Sequence, residues 1–170
     1  MLLAAGCGKS SKPETAQDWA NSFCSSVTTW KDSVTTTVNS LKGGSLTKDS
    51  ITNAFDDFKS ATKTFTSDVK GLGKPPTKSG DQAKQDVDNL TSQVDDSVAT
   101  LQSAVNNASA GAGGILSAVS VASTEFTKVK TEVQSTLQNL QQLEPGGELQ
   151  QAFQQADSCK SLKSSSSSSG

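Results

Sequence analysis

Residues 16–41 read AQDWANSFCSSVTTWKDSVTTTVNSL. Apolar side chains fall at Ala16, Trp19, Phe23, Val27, Trp30, Val34, Val38 and Leu41, three or four residues apart throughout. That interval is one turn of an α-helix, so these residues share a face and the Ser, Thr, Asp and Lys residues between them share the other. Thr15 followed by Asp18 resembles a capping box at the start of such a helix. Gly43-Gly44 supplies the stop.

The same interval recurs along the chain. A second segment carries Ile51, Phe55, Phe58, Thr62, Phe65, Val69 and Leu72, and runs into GLGKPP, where Gly and then Pro stop a helix. A third carries Ala83, Val87, Leu90, Val94, Val98, Leu101, Val105 and Ala108 before NNASAGAGG. A fourth carries Ile115, Val119, Ala122, Phe126, Val129, Val133, Leu137 and Leu140 and ends at Pro145-Gly146-Gly147. A shorter fifth has Leu149, Phe153, Ala156 and Leu162. No stretch alternates with period two, so no sheet is expected.

The pattern predicts an all-α fold: an elongated, antiparallel, up-down-up-down four-helix bundle with a short C-terminal fifth helix. The expected helices cover 15–42, 48–72, 80–108, 114–143 and 147–162, within a bundle spanning 14–163. Near-heptad spacing favours shallow crossing angles. The many Val and Thr residues lower helix propensity by a few tenths of a kcal/mol each, so packing has to hold the helices. Residues 164–170, almost all serine, are expected to form a disordered tail.

Composition narrows the chemistry. Hydrophobic residues make up 32% of the 170 residues and aromatics 5%, a lean supply for a core. The net charge of −2 gives no general attraction to polyanions, and nucleic acid is not an expected partner. The chain has no His, no Tyr and no Arg, and all 15 basic residues are Lys. The usual general base and commonest metal ligand are therefore missing, as is the bidentate fork for phosphate. No run approaches the roughly 18 apolar residues of a membrane span.

Leu3-Ala4-Ala5-Gly6-Cys7 resembles the lipobox of bacterial lipoproteins. The resemblance implies that the Cys7 thiol carries a diacylglyceryl group and that the chain is cut just before it. Ala5 and Gly6 supply the small residues that such a cut requires, and only a thiolate does the thioether chemistry. Residues 1–6 are then the remnant of a signal peptide, whose charged start and apolar run would lie further upstream. Residues 7–13 are read as anchor and polar tether. The competing reading is a cytosolic chain with an incidental thiol near its terminus.

With Cys7 acylated, Cys24 and Cys159 remain, an even number suited to an oxidising compartment. In the expected bundle the fifth helix climbs parallel to the first from the same end. Cys24 and Cys159 then both lie on the order of 15 Å up the bundle by helical rise. A disulfide between them is expected to link the first helix to the last; two buried free thiols are the alternative. Phe23-Cys24, Trp30 and the late Cys159 also resemble an FC…W pattern in small secreted lipoproteins of Gram-positive, and in particular actinobacterial, organisms. That resemblance implies no known activity.

Other candidates read as ordinary surface or core. Asp56-Asp57, Asp86 with Asp88, and Asp95-Asp96 are adjacent acids on helices. They point about 100° apart rather than converging as a calcium loop does. Lys128 and Glu132, at i,i+4, read as a surface ion pair. Trp19 and Trp30 read as core, with an aromatic binding site as the alternative. GAGG at 111–114 has no preceding strand and no following Lys, so it is a connector and not a phosphate loop. No Ser has a His to activate it, and no catalytic, metal or cofactor residues are assigned.

The expected function is therefore non-enzymatic. The chain reads as a binding or interaction module of the cell envelope, anchored to the outer face of the membrane through Cys7. A protein partner is expected at the distal loops, Lys42 to Lys48 and Asn106 to Gly114. The alternative is a carrier or sensor of a small apolar ligand held between the helices near Trp19 and Trp30.

Overall fold

The computed structural model describes residues 13, 15–43, 46–108 and 112–166. Among these the chain is all α-helical: α1 (Ala16–Gly43), α2 (Lys48–Gly71), α3 (Gly80–Asn107), α4 (Ala112–Gln142), α5 (Glu148–Gln155) and α6 (Asp157–Ser166). The first four lie within a residue or two of the ends expected from the spacing of apolar residues.

Local chemistry explains the helix ends. The Asp18 N–H donates to Thr15 Oγ1 at 3.1 Å, and the Thr15 hydroxyl donates to the Asp18 carboxylate at 2.7 Å. At the start of α2, Thr47 and Ser50 each accept from the other's backbone N–H, at 3.1 and 2.9 Å, forming a reciprocal capping box. After α2, Gly73 takes φ +66°, which a residue with a Cβ adopts only under strain. Its carbonyl accepts the Trp19 indole N–H at 3.0 Å, so the turn is also a fixed point for the core.

The hydroxyls that weaken helix propensity are themselves satisfied. Along α1, Thr28, Ser33, Thr35, Thr36, Thr37 and Ser40 each donate to the carbonyl four residues back, at 2.8–3.1 Å. Such bonds leave the helix intact but contribute little to it. What holds it is burial. Trp19, Ala20, Phe23 and Cys24 are fully enclosed. Trp30 is buried with its indole N–H on Thr62 Oγ1 at 3.1 Å.

Consecutive long helices pack on one another, α1 with α2, α2 with α3 and α3 with α4. Cross-helix bonds step in opposite directions along α1 and α2: Trp19 reaches Gly73, and Trp30 reaches Thr62. Between α2 and α3, Lys59 reaches Gln102 and Lys70 reaches Asp95. The fourth side differs. Among the described residues α1 and α4 do not pack closely against each other; α5 lies against both, and α6 against α1 and α5.

The C-terminal segment departs from expectation in two ways. It is two helices and not one, broken at Ala156, where ψ of 122° ends α5. The Ala156 carbonyl then accepts from Cys159 and Lys160 at 3.1 and 3.2 Å to open α6. The Ser158 N–H, free of a partner in its own helix, donates to Asn21 Oδ1 of α1 at 3.1 Å. A side chain more than a hundred residues away thus caps α6, which no local pattern announces. Second, α6 continues through Ser166, into the run expected to be disordered from residue 164. Cys159 and Leu162, both buried, nucleate the helix, and adding further residues to it is cheap once it has begun. Residues 167–170 lie outside the described residues.

The expected bridge is present. Cys24 and Cys159 are disulfide-bonded with Cα atoms 5.0 Å apart, at a sequence separation of 135. Both are buried, at 0% and 2% exposure. Trp19 and Phe23 stack beside them at 5.5 Å, and Phe153 of α5 meets both edge-on at 6.1 and 6.3 Å. Cross-linking so long a loop is worth about 2–5 kcal/mol. Reduction of unfolded protein, or the double variant Cys24→Ser/Cys159→Ser, is accordingly expected to lower unfolding stability by that amount. Urea titrations with and without reductant measure it, and indistinguishable midpoints would contradict the assignment.

Candidate functional site

Beyond Trp30 the bundle is not filled. A cavity of about 390 Å³ lies between the upper half of α1, the start of α2, the end of α3 and the first half of α4. Its floor consists of Ile51, Phe55 and Phe58 from α2, Leu101 and Val105 from α3, and Ala118 from α4, all buried. Its mouth is made of Thr37 and Val38 on α1, Leu46 in the α1–α2 connection, and Val119, Ala122, Ser123 and Phe126 on α4. These are half-buried or exposed. The gradient from floor to mouth places the opening along the seam where α1 and α4 do not pack closely.

The sequence explains why the space stays open. On α4, Ala118 and Ala122 face the cavity where larger residues would close it. At the opposite end of the same seam α5 inserts Leu149 and Phe153, both fully buried. No equivalent of α5 covers the other end among the described residues. The cavity is uncharged: apart from Thr37 and Ser123, every described lining residue is apolar. The Thr37 hydroxyl donates to the Ser33 carbonyl, which leaves its oxygen only as an acceptor. Lys59 lies 5.7 Å over the Phe55 ring and donates to Gln102 at 2.9 Å.

Apolar surface continues beyond the mouth. Leu46 is 42% exposed and Leu116 is 62% exposed, unusual for residues of this size. Leu116 precedes Val119 by three residues and Ser123 by seven, so helical geometry puts it on the edge of α4 that borders the mouth.

The residues singled out from sequence are distributed as follows. Cys24 and Cys159 meet, at the end of the molecule away from the cavity. Cys7 and the tether lie outside the described residues. Of the distal loops, Leu46 reaches the cavity, whereas residues 44–45 and 109–111 lie outside the described residues. Trp19 and Trp30 do not line the cavity. They are core; the cavity lies further along, beside Val34 and Val38. The signal for it was in the fourth segment, where Ile115, Leu116, Ala118, Val119, Val121 and Ala122 are more apolar residues than one helix face can hold.

The acidic pairs are surface features. Lys70–Asp95, Lys74–Asp81, Lys84–Asp88 and Lys160–Asp157 are exposed ion pairs of small energetic value. No group of three or more potential metal ligands converges among the described residues. The expected Lys128–Glu132 pair is replaced by Lys128–Glu125, at 3.8 Å. Compared with known proteins, the chain matches no family model, no curated protein and no solved structure.

Glu132 remains half-buried, with one carboxylate oxygen sealed from solvent and without a hydrogen bond. Burial pushes its carboxyl above the ordinary 4.5; Lys128 opposes the shift, and Glu125 and Asp96 add to it. The folded state therefore binds this proton more tightly than the unfolded state does. Ionised Glu132 opposes folding above its raised pKa, and the penalty fades as pH falls toward 4.5. Glu132→Gln is expected to raise the thermal midpoint at pH 7, with the gain over the parent shrinking toward pH 4.5. A constant difference across that range would refute the burial argument.

Proposed function

We propose that this chain is a non-enzymatic binding module of the bacterial cell envelope, held to the outer face of the membrane by lipid on Cys7, and that it carries a small apolar ligand in the α1–α4 cavity. The observation that supports the carrier role is the cavity itself. Its 390 Å³ falls within the roughly 300–1,000 Å³ of ligand sites, and its walls are almost wholly apolar. Apolar walls left facing water in such a cleft cost free energy that an apolar occupant would recover.

The envelope location draws support from two features. Leu3 to Cys7 resemble a lipobox. The bond between Cys24 and Cys159 suits an oxidising compartment. No helix among the described residues is long and apolar enough to cross a membrane, so attachment would rest on the acylated thiol. The absence of His, Tyr and Arg favours binding over catalysis. The opposed stepping of cross-helix bonds supports an up-down-up-down arrangement, with the clasped ends of α1 and α6 nearest the membrane. That orientation turns the mouth of the cavity outward. A second reading, a protein partner docking on the distal end, is favoured by the exposure of Leu46 and Leu116.

Titration of the purified domain with 1,6-diphenyl-1,3,5-hexatriene, an uncharged, rod-shaped fluorescent probe, tests the carrier role. Saturable one-to-one binding is expected for the parent chain. It should be lost in Ala122→Phe, which fills the cavity and should leave the helical circular dichroism intact. Ala122→Leu provides a milder change should the larger one disturb folding. Absence of saturable binding to the parent would refute the carrier role. For the anchor, Cys7→Ser is expected to move the protein from membrane to soluble fraction in cells and to abolish incorporation of labelled palmitate.

A further inference from the structure

We propose that the occupant of the cavity is a single unbranched alkyl chain of about a dozen carbons, whose uncharged polar end lies at the mouth beside Ser123. The inference rests on the carrier reading above and adds the class of ligand.

Length comes first. On α4 the cavity is lined from Ala118 to Phe126, which at 1.5 Å per residue spans about 12 Å. A volume of 390 Å³ spread over that length leaves a slot on the order of 6 Å across. Such a slot suits one chain better than a fused-ring skeleton. The same volume holds on the order of a dozen groups the size of a water molecule, and a methylene is of similar size.

Polarity fixes the orientation. The buried floor, from Ile51 to Ala118, offers no hydrogen-bonding side chain, and a polar group placed there would lose its water without replacement. Hydroxyls occur only at the mouth. Thr37 can accept but has committed its proton to Ser33, so Ser123, exposed on α4, is the flexible donor and acceptor available to a head group. The described lining residues provide no charge selection. No described lining residue is ionisable, and Lys59 is already engaged by Gln102 and Phe55. A chain bearing a formal charge would gain nothing from this site over one bearing a hydroxyl.

Displacement of bound 1,6-diphenyl-1,3,5-hexatriene by straight-chain alcohols from hexanol to hexadecanol tests the proposal. Affinity should rise about fourfold per added methylene and level off near twelve carbons. Decanol, decanoate and decyltrimethylammonium should differ by less than about tenfold, the factor that 1.4 kcal/mol of charge recognition would produce. Ala122→Phe should abolish the series. Three results would overturn the ligand class while leaving the carrier reading intact: a fused-ring hydrocarbon displacing the probe better than decanol, a charged head preferred by more than tenfold, or no dependence on chain length. Failure of the probe itself to bind would instead remove the carrier reading on which the class rests.

Discussion

The contact on which the rest of the molecule depends is the clasp between α1 and the C-terminal helices. Cys24 is bonded to Cys159, and Trp19, Phe23 and Phe153 close around the bond. A chain with 32% hydrophobic residues has little apolar surface to bury, and three of its eight aromatic residues meet here. The covalent bond restricts the unfolded chain, and the aromatic residues remove the largest side chains from water. Asn21 adds a polar element by capping α6 from the neighbouring helix. Three kinds of force thus act on a few turns of α1.

The opposite end is less completely filled. Between the clasp and the cavity, Trp30 marks the boundary, tilted against Phe65 at 5.6 Å and bonded to Thr62. Below it, α5 wedges α1 and α4 into a continuous interior. Above it, Val and Ala face one another across space that Trp or Leu would have filled. The seam between α1 and α4 is therefore closed at one end by an inserted helix and open at the other. Small residues on α4 allow the helices to stand where they do without meeting. The open space arises from what the lean composition does not supply, and its apolar lining follows from that same stripe of core residues.

The helices were legible because the apolar interval of three and four survives in every long segment, and because Gly and Pro punctuate the connections. The pairing of Cys24 with Cys159 was legible from parity and from matching heights along the bundle. The break at Ala156 was not. It depends on Asn21, far away in sequence, and on an extended backbone at an alanine that by itself favours helix. The position of the cavity was also hidden. Periodicity says which face of a helix is buried, not whether facing side chains are large enough to touch. The excess of apolar residues from Ile115 to Ala122 was visible but does not by itself separate a thick core from a lined hollow. Lys128 illustrates the limit for charges: both Glu125 and Glu132 lie within helical reach, and sequence spacing alone does not choose between them.

The distance between the two bonded cysteines also dictates an order of events. At a sequence separation of 135, Cys24 emerges during synthesis long before its mate, and it must wait while α2, α3 and α4 are made. Phe153 and the backbone that Asn21 caps arrive equally late. The most stabilising contacts of the first helix are thus the last to become possible. Until then α1 has only α2 to lean on, and its thiol is open to reaction with any other. The latch that secures the beginning of the molecule can be shut only when nearly the whole chain has been delivered.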